Sequence, residues 1–245
     1  MLQPWQTGKV IRIEQEAAQT RRFWIQLSGL ESFDFKPGQF VTLDLPIHEK
    51  LNKRIRSYSI ASWPDGTNVI ELVIVLLEGG AGTNYLFNEV TVGSELTLRG
   101  PQGIFTLPEA IEKDLFFICT GTGIAPFRSM SHHILNCNIA HRDIYLIFGT
   151  RHFGDALYRR EMAELAEKIP CFHFIPTFSR EAAGGEGFYR TGYVHSIYEE
   201  LCPRQEVPRP ALFFLCGWKN MIDEAKERIQ ALGYDRKSIH QELYG

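Results

Sequence analysis

The chain has 245 residues, of which 44% are hydrophobic and 12% aromatic, and its formal charge is −3 with histidine neutral. That length accommodates one large domain or two small ones, each able to bury its own core, and the composition excludes a disordered segment and a strongly basic nucleic-acid binder. The cysteines at 119, 137, 171, 202 and 216 are odd in number and scattered, with no C-x-x-C pair. This argues against a disulfide framework, a metal centre and a cysteine-held iron–sulfur cluster.

The first residues, MLQPWQTGKVIRIEQ, lack a basic start followed by an apolar stretch, and no run approaches 18 apolar residues. A cytoplasmic protein with no membrane association is expected. From residue 8 to about 100, short apolar runs are broken by turn residues: GKVIRIEQ, RRFWIQLSG, GQFVTLDLP, RIRSYSIAS, NVIELVIVLL and SELTLRG. Six β-rich runs at this spacing predict a small six-stranded antiparallel β-barrel. The one helical interruption is Thr83 to Val90, after the glycine cluster at 79–82.

After Pro101 the rhythm changes. Buried-strand runs LFFICT, DIYLIFGT, CFHFIPTFS and ALFFLCG alternate with helical stretches around 124–136, 156–168, 193–201 and 219–232. That alternation predicts a parallel sheet in a Rossmann-like α/β domain. The boundary falls near 101–112, dividing the chain into 1–105 and 106–245, and Gly184-Gly185-Glu186-Gly187 reads as a mobile loop. The eight histidines show no zinc-type spacing, and no metal is expected.

Four strings stand out. In the strand Arg56-Ser57-Tyr58-Ser59, side chains 56 and 58 share one face and 57 and 59 the other; alone it reads as a barrel strand with an exposed arginine. Gly121-Thr122-Gly123-Ile124-Ala125-Pro126-Phe127 puts a glycine turn at the carboxyl end of a parallel strand, where such sheets bind ligands; alone it reads as a structural turn. Cys216-Gly217, with Met221 four residues on, ends another such strand, where a buried cysteine is usually inert packing. Glu242-Leu243-Tyr244 lies in a final edge-strand pattern.

In this order, with Pro37-Gly38-Gln39-Phe40 upstream and Gly80-Ala81-Gly82-Thr83-Asn84 between, the strings resemble the ferredoxin-NADP reductase superfamily over nearly the whole chain. The resemblance implies a flavin-binding barrel followed by a nicotinamide-binding α/β domain. Hydride would exchange between nicotinamide and flavin N5, and electrons would pass to a separate ferredoxin or flavodoxin. FAD is favoured over FMN by the 80–84 segment.

Arg56 is suited to the pyrophosphate because its fork donates several hydrogen bonds and stays charged. Gly82, Thr83 and Asn84 would meet phosphate at a helix start, with Thr83 as a plain N-cap the alternative. By resemblance Ser57, Tyr58, Ser59 and Ile74 line the flavin, and Gly121, Thr122, Gly123, Pro126, Cys216, Gly217 and Met221 border the nicotinamide dinucleotide. The implied catalytic set is Ser59, Cys216, Glu242 and Tyr244: the tyrosine covers the flavin and the glutamate lies on a proton route. Gly245 after the aromatic departs from the family's ending.

Thr177-Phe178-Ser179-Arg180-Glu181 resembles the segment that holds the 2′-phosphate of NADP. Tyr189 could cover adenine, Arg190 and Arg151 could add cations, and Glu181 or Glu186 could pair with any of them. NADP(H) is favoured, with NAD(H) possible. Lys50, Lys53, Arg54 and Arg56 form a positive run that could steer an acidic partner, or a plain solvated loop. The competing expectations are a reductase component serving an oxygenase or free flavin, a flavin-bearing electron-transfer subunit, and a non-catalytic nucleotide sensor. A monomer is expected.

Overall fold

The computed structural model describes residues 3–182 and 189–244, with the Tyr244 side chain not included; the expected loop at 184–187 and Gly245 lie outside the described residues. The N-terminal part comprises β1 (Gln6–Ala17), β2 (Thr20–Leu27), β3 (Phe40–Asp44), α1 (Leu51–Arg54), β4 (Ile55–Ser59), β5 (Val69–Val75), α2 (Ala81–Asn88) and β6 (Glu95–Gln102). Its six strands form one antiparallel sheet in the order β4-β3-β6-β1-β2-β5. The ends of that sheet meet where the Ala61 N–H donates to the Glu71 carbonyl at 2.8 Å.

Alternation decides which faces turn inward. Phe23, Ile25 and Leu27 of β2 are buried while Gln26 between them is exposed, and they join Val41, Leu43, Ile70, Leu72, Leu96 and Leu98 in one apolar core. β5 departs from alternation, with Ile70 to Ile74 all buried. Its outer face is covered by the second domain: Val73 and Ala61 pack into the same cluster as Phe105, Phe127 and Phe214.

The C-terminal part contains β7 (Asp114–Thr120), α3 (Ala125–Asn136), β8 (Ile144–Thr150), α4 (Arg159–Lys168), β9 (Phe172–Phe178), β10 (Arg190–Thr191), α5 (Val194–Leu201), β11 (Ala211–Trp218), α6 (Lys219–Ala231) and β12 (Ile239–Tyr244). All six strands are parallel, in the order β10-β9-β8-β7-β11-β12. Successive residues of β7 feed opposite faces: Leu115, Phe117 and Cys119 pack beneath α3 and α4, while Phe116 and Ile118 pack beneath α5 and α6. This double burial explains why the strands read as unbroken apolar runs.

Two local expectations are corrected. The helix placed at Thr83–Val90 begins at Ala81, because Gly80 takes the extended N-cap conformation and Thr83 does not cap it. The Thr83 hydroxyl instead turns back onto its own turn, donating to the Gly80 carbonyl at 3.1 Å and accepting from the Leu77 N–H at 3.1 Å. The short helix α1, Leu51–Arg54, was not expected at all; it has no buried residue and hence no periodic signature.

Candidate functional site

The carboxyl ends of β7, β11 and β12 lie side by side and face the end of β4. Register fixes most of this arrangement. Cys216 of β11 stands level with Cys119 of β7 on one side and Glu242 of β12 on the other. Across the cleft the Ser59 hydroxyl donates to Glu242 Oε1 at 2.5 Å, joining residues 183 positions apart in sequence.

The glycines let backbone approach backbone here. A Cβ on Gly123 would stand 2.3 Å from the Cys216 carbonyl oxygen, so the Gly121–Ile124 turn rests directly on the end of β11. Gly217 has φ +145°, and a Cβ there would meet Thr120 Oγ1 at 2.3 Å. The two glycine-bearing strings therefore form one packed unit.

Burial pushes the Glu242 carboxyl above the usual carboxylate range, with the Ser59 hydrogen bond opposing it. Burial likewise pushes the Tyr58 phenol up to about 12, with Arg56 pulling the other way, so it stays protonated at neutral pH. The Cys119 thiol, fully buried, is pushed well above its usual value.

One cleft collects most of the residues expected to line the flavin. Arg56, Ser57, Tyr58, Ser59, Ile74, Gly82 and Thr83 line its barrel side, and Thr120, Thr122, Gly217 and Trp218 the other. Arg56 lies against Gly82: a Cβ at Gly82 would sit 3.0 Å from Arg56 Cγ and 3.2 Å from its Nε. The first intrahelical hydrogen bond of α2 is Asn84 N–H to the Gly80 carbonyl, so the N–H groups of 81–83 are left over at a positive helix end beside a guanidinium. Asn84 itself is turned inward, its Nδ2 donating to the Gly80 carbonyl at 2.9 Å. Ser57 Oγ lies 3.0 Å from Thr42 Oγ1 on the neighbouring strand.

Gly123, Pro126, Cys216 and Met221 are buried behind the cleft, supporting its floor. Pro126 occupies the first turn of α3, where a missing N–H costs nothing. The Tyr244 backbone pairs with Trp218 at the end of β12.

The second group lies at the ends of β8, β9 and β10. The Ser179 and Arg180 N–H groups donate to the Thr150 and Arg151 carbonyls, each at 3.0 Å, which holds the two loops together. Glu181 accepts from the Phe153 N–H at 2.9 Å and lies 3.4 Å from His152 Nδ1, rather than pairing with an arginine. Arg151 and Arg180 make no ion pair among the described residues, whereas Arg190 is paired with Glu200 of α5. Tyr189 packs edge-on to Phe178, with ring centres 5.2 Å apart, beside Phe153. Of the positive run, Arg54 is paired with Asp44 at 2.5 Å, while Lys50 and Lys53 are exposed.

Residues 7–107 match the family model for an oxidoreductase FAD-binding domain, and residues 117–227 that for an oxidoreductase NAD-binding domain. Ferredoxin–NADP reductase B of Sorangium cellulosum is 36% identical over 219 residues, 87% of this chain and 87% of that protein. The chain belongs to the ferredoxin-NADP reductase superfamily. It is an FAD- and NAD(P)-binding oxidoreductase.

A glycine betaine monooxygenase reductase subunit of Pseudomonas aeruginosa is 30% identical over 247 residues, 99% of this chain but 66% of the subunit. Among solved structures, a cytochrome P450 reductase of Amycolatopsis superposes with a TM-score of 0.86 at 28% identity, over 98% of this chain and 69% of its own. A ferredoxin NADP+ reductase of Neisseria gonorrhoeae, solved with bound FAD and NADP, gives 0.80 at 24% identity over 98% of both chains.

The residues present fit these cofactors. The leftover α2 N–H groups beside Arg56 suit a pyrophosphate, and the Gly121–Ile124 turn leaves open space at Gly121, where an added Cβ would meet nothing within 4 Å. Sequence reasoning missed Trp218 and Thr120 in the cleft, and a buried cluster between the domains: Arg22, Glu71, Arg128 and Tyr158. A signal for the cluster existed, since Glu71 is the one charged residue in the run NVIELVIVLL.

Proposed function

We propose that the chain is an NADPH-dependent FAD reductase that delivers electrons singly to a separate ferredoxin, with flavodoxin as the alternative carrier. The carrying observation is the Ser59–Glu242 hydrogen bond, which joins the flavin-side strand to the nicotinamide-side sheet next to Cys216. When bound, FAD accepts an electron pair from the reduced nicotinamide and releases electrons one at a time.

The chain's own residues bind, orient and hold protons. Arg56 and the 81–83 N–H groups hold the flavin pyrophosphate, while Tyr58 and Ile74 line the ring. The Gly121–Ile124 turn and Gly217 bring backbone close to the dinucleotide, and Cys216 and Met221 shape the nicotinamide end. Alignment of this kind supplies about 7–11 kcal/mol of barrier lowering in well-oriented systems. Burial raises the proton affinity of the Glu242 carboxyl, and its Oε1 accepts the Ser59 hydroxyl, so the pair offers a hydrogen-bonded route for a proton between the two walls. Tyr244 is assigned the covering role.

NADPH is favoured over NADH because Arg151 and Arg180 are exposed and carry no ion pair among the described residues, leaving both for a 2′-phosphate beside Ser179. Arg190, engaged by Glu200, is the lesser contributor. Lys50 and Lys53 beside Arg56 support an acidic carrier. The division at 105/106, a monomeric state and a cytoplasmic location belong to the same proposal. Cys119, Cys137, Cys171 and Cys202 form no disulfide, which supports a reducing compartment. No helix among the described residues is long and apolar enough to cross a membrane.

A second reading, reductase component of an oxygenase, is favoured by the likeness to the glycine betaine monooxygenase subunit over 99% of this chain. The test is NADPH-driven reduction of a purified ferredoxin, a flavodoxin and an oxygenase component across a salt series. Ferredoxin reduction that slows steeply with salt supports the first reading. Reduction of the oxygenase component alone moves the function to the second.

A further inference from the structure

Glu71 interrupts the apolar run of β5 and is 2% exposed. A buried carboxylate is costly unless it is paired and fully hydrogen-bonded, and this one is. Its Oε1 accepts from Arg22 Nε at 2.6 Å and from the Tyr158 hydroxyl at 2.7 Å. Its Oε2 accepts from Arg22 Nη2 at 3.1 Å and from Arg128 Nη1 at 3.0 Å. Arg128, 4% exposed, also donates to the Ala61 carbonyl at 2.8 Å and to Glu161 Oε1 at 2.7 Å. The Tyr158 N–H donates to Glu16 Oε1 at 2.7 Å.

The cluster straddles the two domains. Glu16, Arg22, Ala61 and Glu71 belong to the barrel, while Arg128, Tyr158 and Glu161 belong to the α/β domain. Its anchor points lie next to the cleft: Ala61 is the second residue after Ser59, and Glu71 the second before Val73, which lines the cleft. On the other side Arg128 sits in the first turn of α3, directly after the turn that carries Thr122. An apolar contact would hold the domains together without specifying their angle. A planar fork donating to Glu71, Ala61 and Glu161 at once specifies it.

We propose that Glu71 and Arg128 are positioning residues that lock β4 and β5 to α3 and so set the separation between the flavin wall and the nicotinamide turn. This rests on the cofactor assignment under Proposed function. Loosening the lock lets the cleft walls drift while each sheet stays folded, and a misplacement of about 1 Å can cost about 100-fold in rate.

The test compares Glu71→Gln and Tyr158→Phe with the wild type as FAD-loaded protein. The first readout is amide hydrogen exchange without nucleotide; the second is flavin reduction by NADPH in stopped flow. The proposal expects exchange at 57–61 and 239–244 to rise about tenfold while 114–120 stays protected. The limiting reduction rate falls at least about tenfold, with the NADPH concentration for half-maximal rate changing less than about twofold. Tyr158→Phe, which removes only one hydroxyl, supplies the answer if Glu71→Gln does not fold. A lowered melting temperature with wild-type exchange at the cleft strands and a wild-type limiting rate overturns the proposal. Failure of the wild type to retain FAD would sink the cofactor assignment instead, and the exchange comparison would still decide the lock.

Discussion

Replacing Gly123 by alanine puts the packing of the two glycine strings to the test. The added Cβ would stand 2.3 Å from the Cys216 oxygen, 2.7 Å from its carbonyl carbon and 3.0 Å from the Gly217 nitrogen. Ordinary contact begins near 3.4 Å, so the turn and the end of β11 must part by about 1 Å, and no side chain can rotate away because all three atoms are backbone. Overpacking of this kind costs about 1–3 kcal/mol. For a chain of this size each kcal/mol lowers the melting temperature by about 2–4 °C, giving a fall of about 2–12 °C. Thermal unfolding followed by circular dichroism reads the first effect, and NADP+ titration reads the second, a loss of affinity of about tenfold or more. Gly121→Ala is the comparison: its Cβ meets nothing within 4 Å, and its φ of +55° costs only about 1–2 kcal/mol of backbone strain. A Gly123→Ala protein that melts and binds NADP+ like the wild type would refute the reasoning.

Three further outcomes follow from the site. Arg56→Ala removes charge-assisted hydrogen bonds of about 1.5–3 kcal/mol, so FAD affinity falls by about 10–150-fold in a fluorescence titration; unchanged retention would remove Arg56 from the phosphate site. Arg180→Ala weakens NADPH by about tenfold and leaves NADH within about twofold, and an equal loss for both would return Arg180 to the solvated surface. Because burial holds the Glu242 carboxyl above its unfolded value, the folded state binds that proton more tightly than the unfolded chain does. Its contribution to stability is therefore complete below the ordinary carboxylate range near pH 4 and is lost as pH rises through the folded value. Glu242→Gln should thus gain on the wild type in denaturant melts as pH climbs from about 4 toward neutrality, whereas a difference that is flat with pH would contradict it.

Much of this architecture is local and therefore legible. The barrel strands announce themselves by alternation in RRFWIQL, and the parallel strands by doubly buried runs such as LFFICT, because each pattern reports which faces meet apolar neighbours. The glycine turns are legible because close backbone approach tolerates little else. What escaped depends on distant packing. The helix expected from Thr83, with a plain N-cap as that residue's alternative role, starts at Ala81 behind Gly80, a choice made by the turn that folds back on Leu77. The engagement of Arg190 by Glu200 requires α5 to lie beside β10, which no local pattern reports. Glu71 reads as an oddity in β5 until Arg128, 57 positions away, is brought against it by domain docking.

The most direct measurement is a visible spectrum of the purified protein with analysis of released flavin, followed by parallel anaerobic titration with NADPH and NADH. The account predicts about one FAD per chain, bleached by NADPH at lower concentration than by NADH. A protein that retains no flavin after reconstitution with FAD, or whose bound flavin neither coenzyme bleaches, would contradict it.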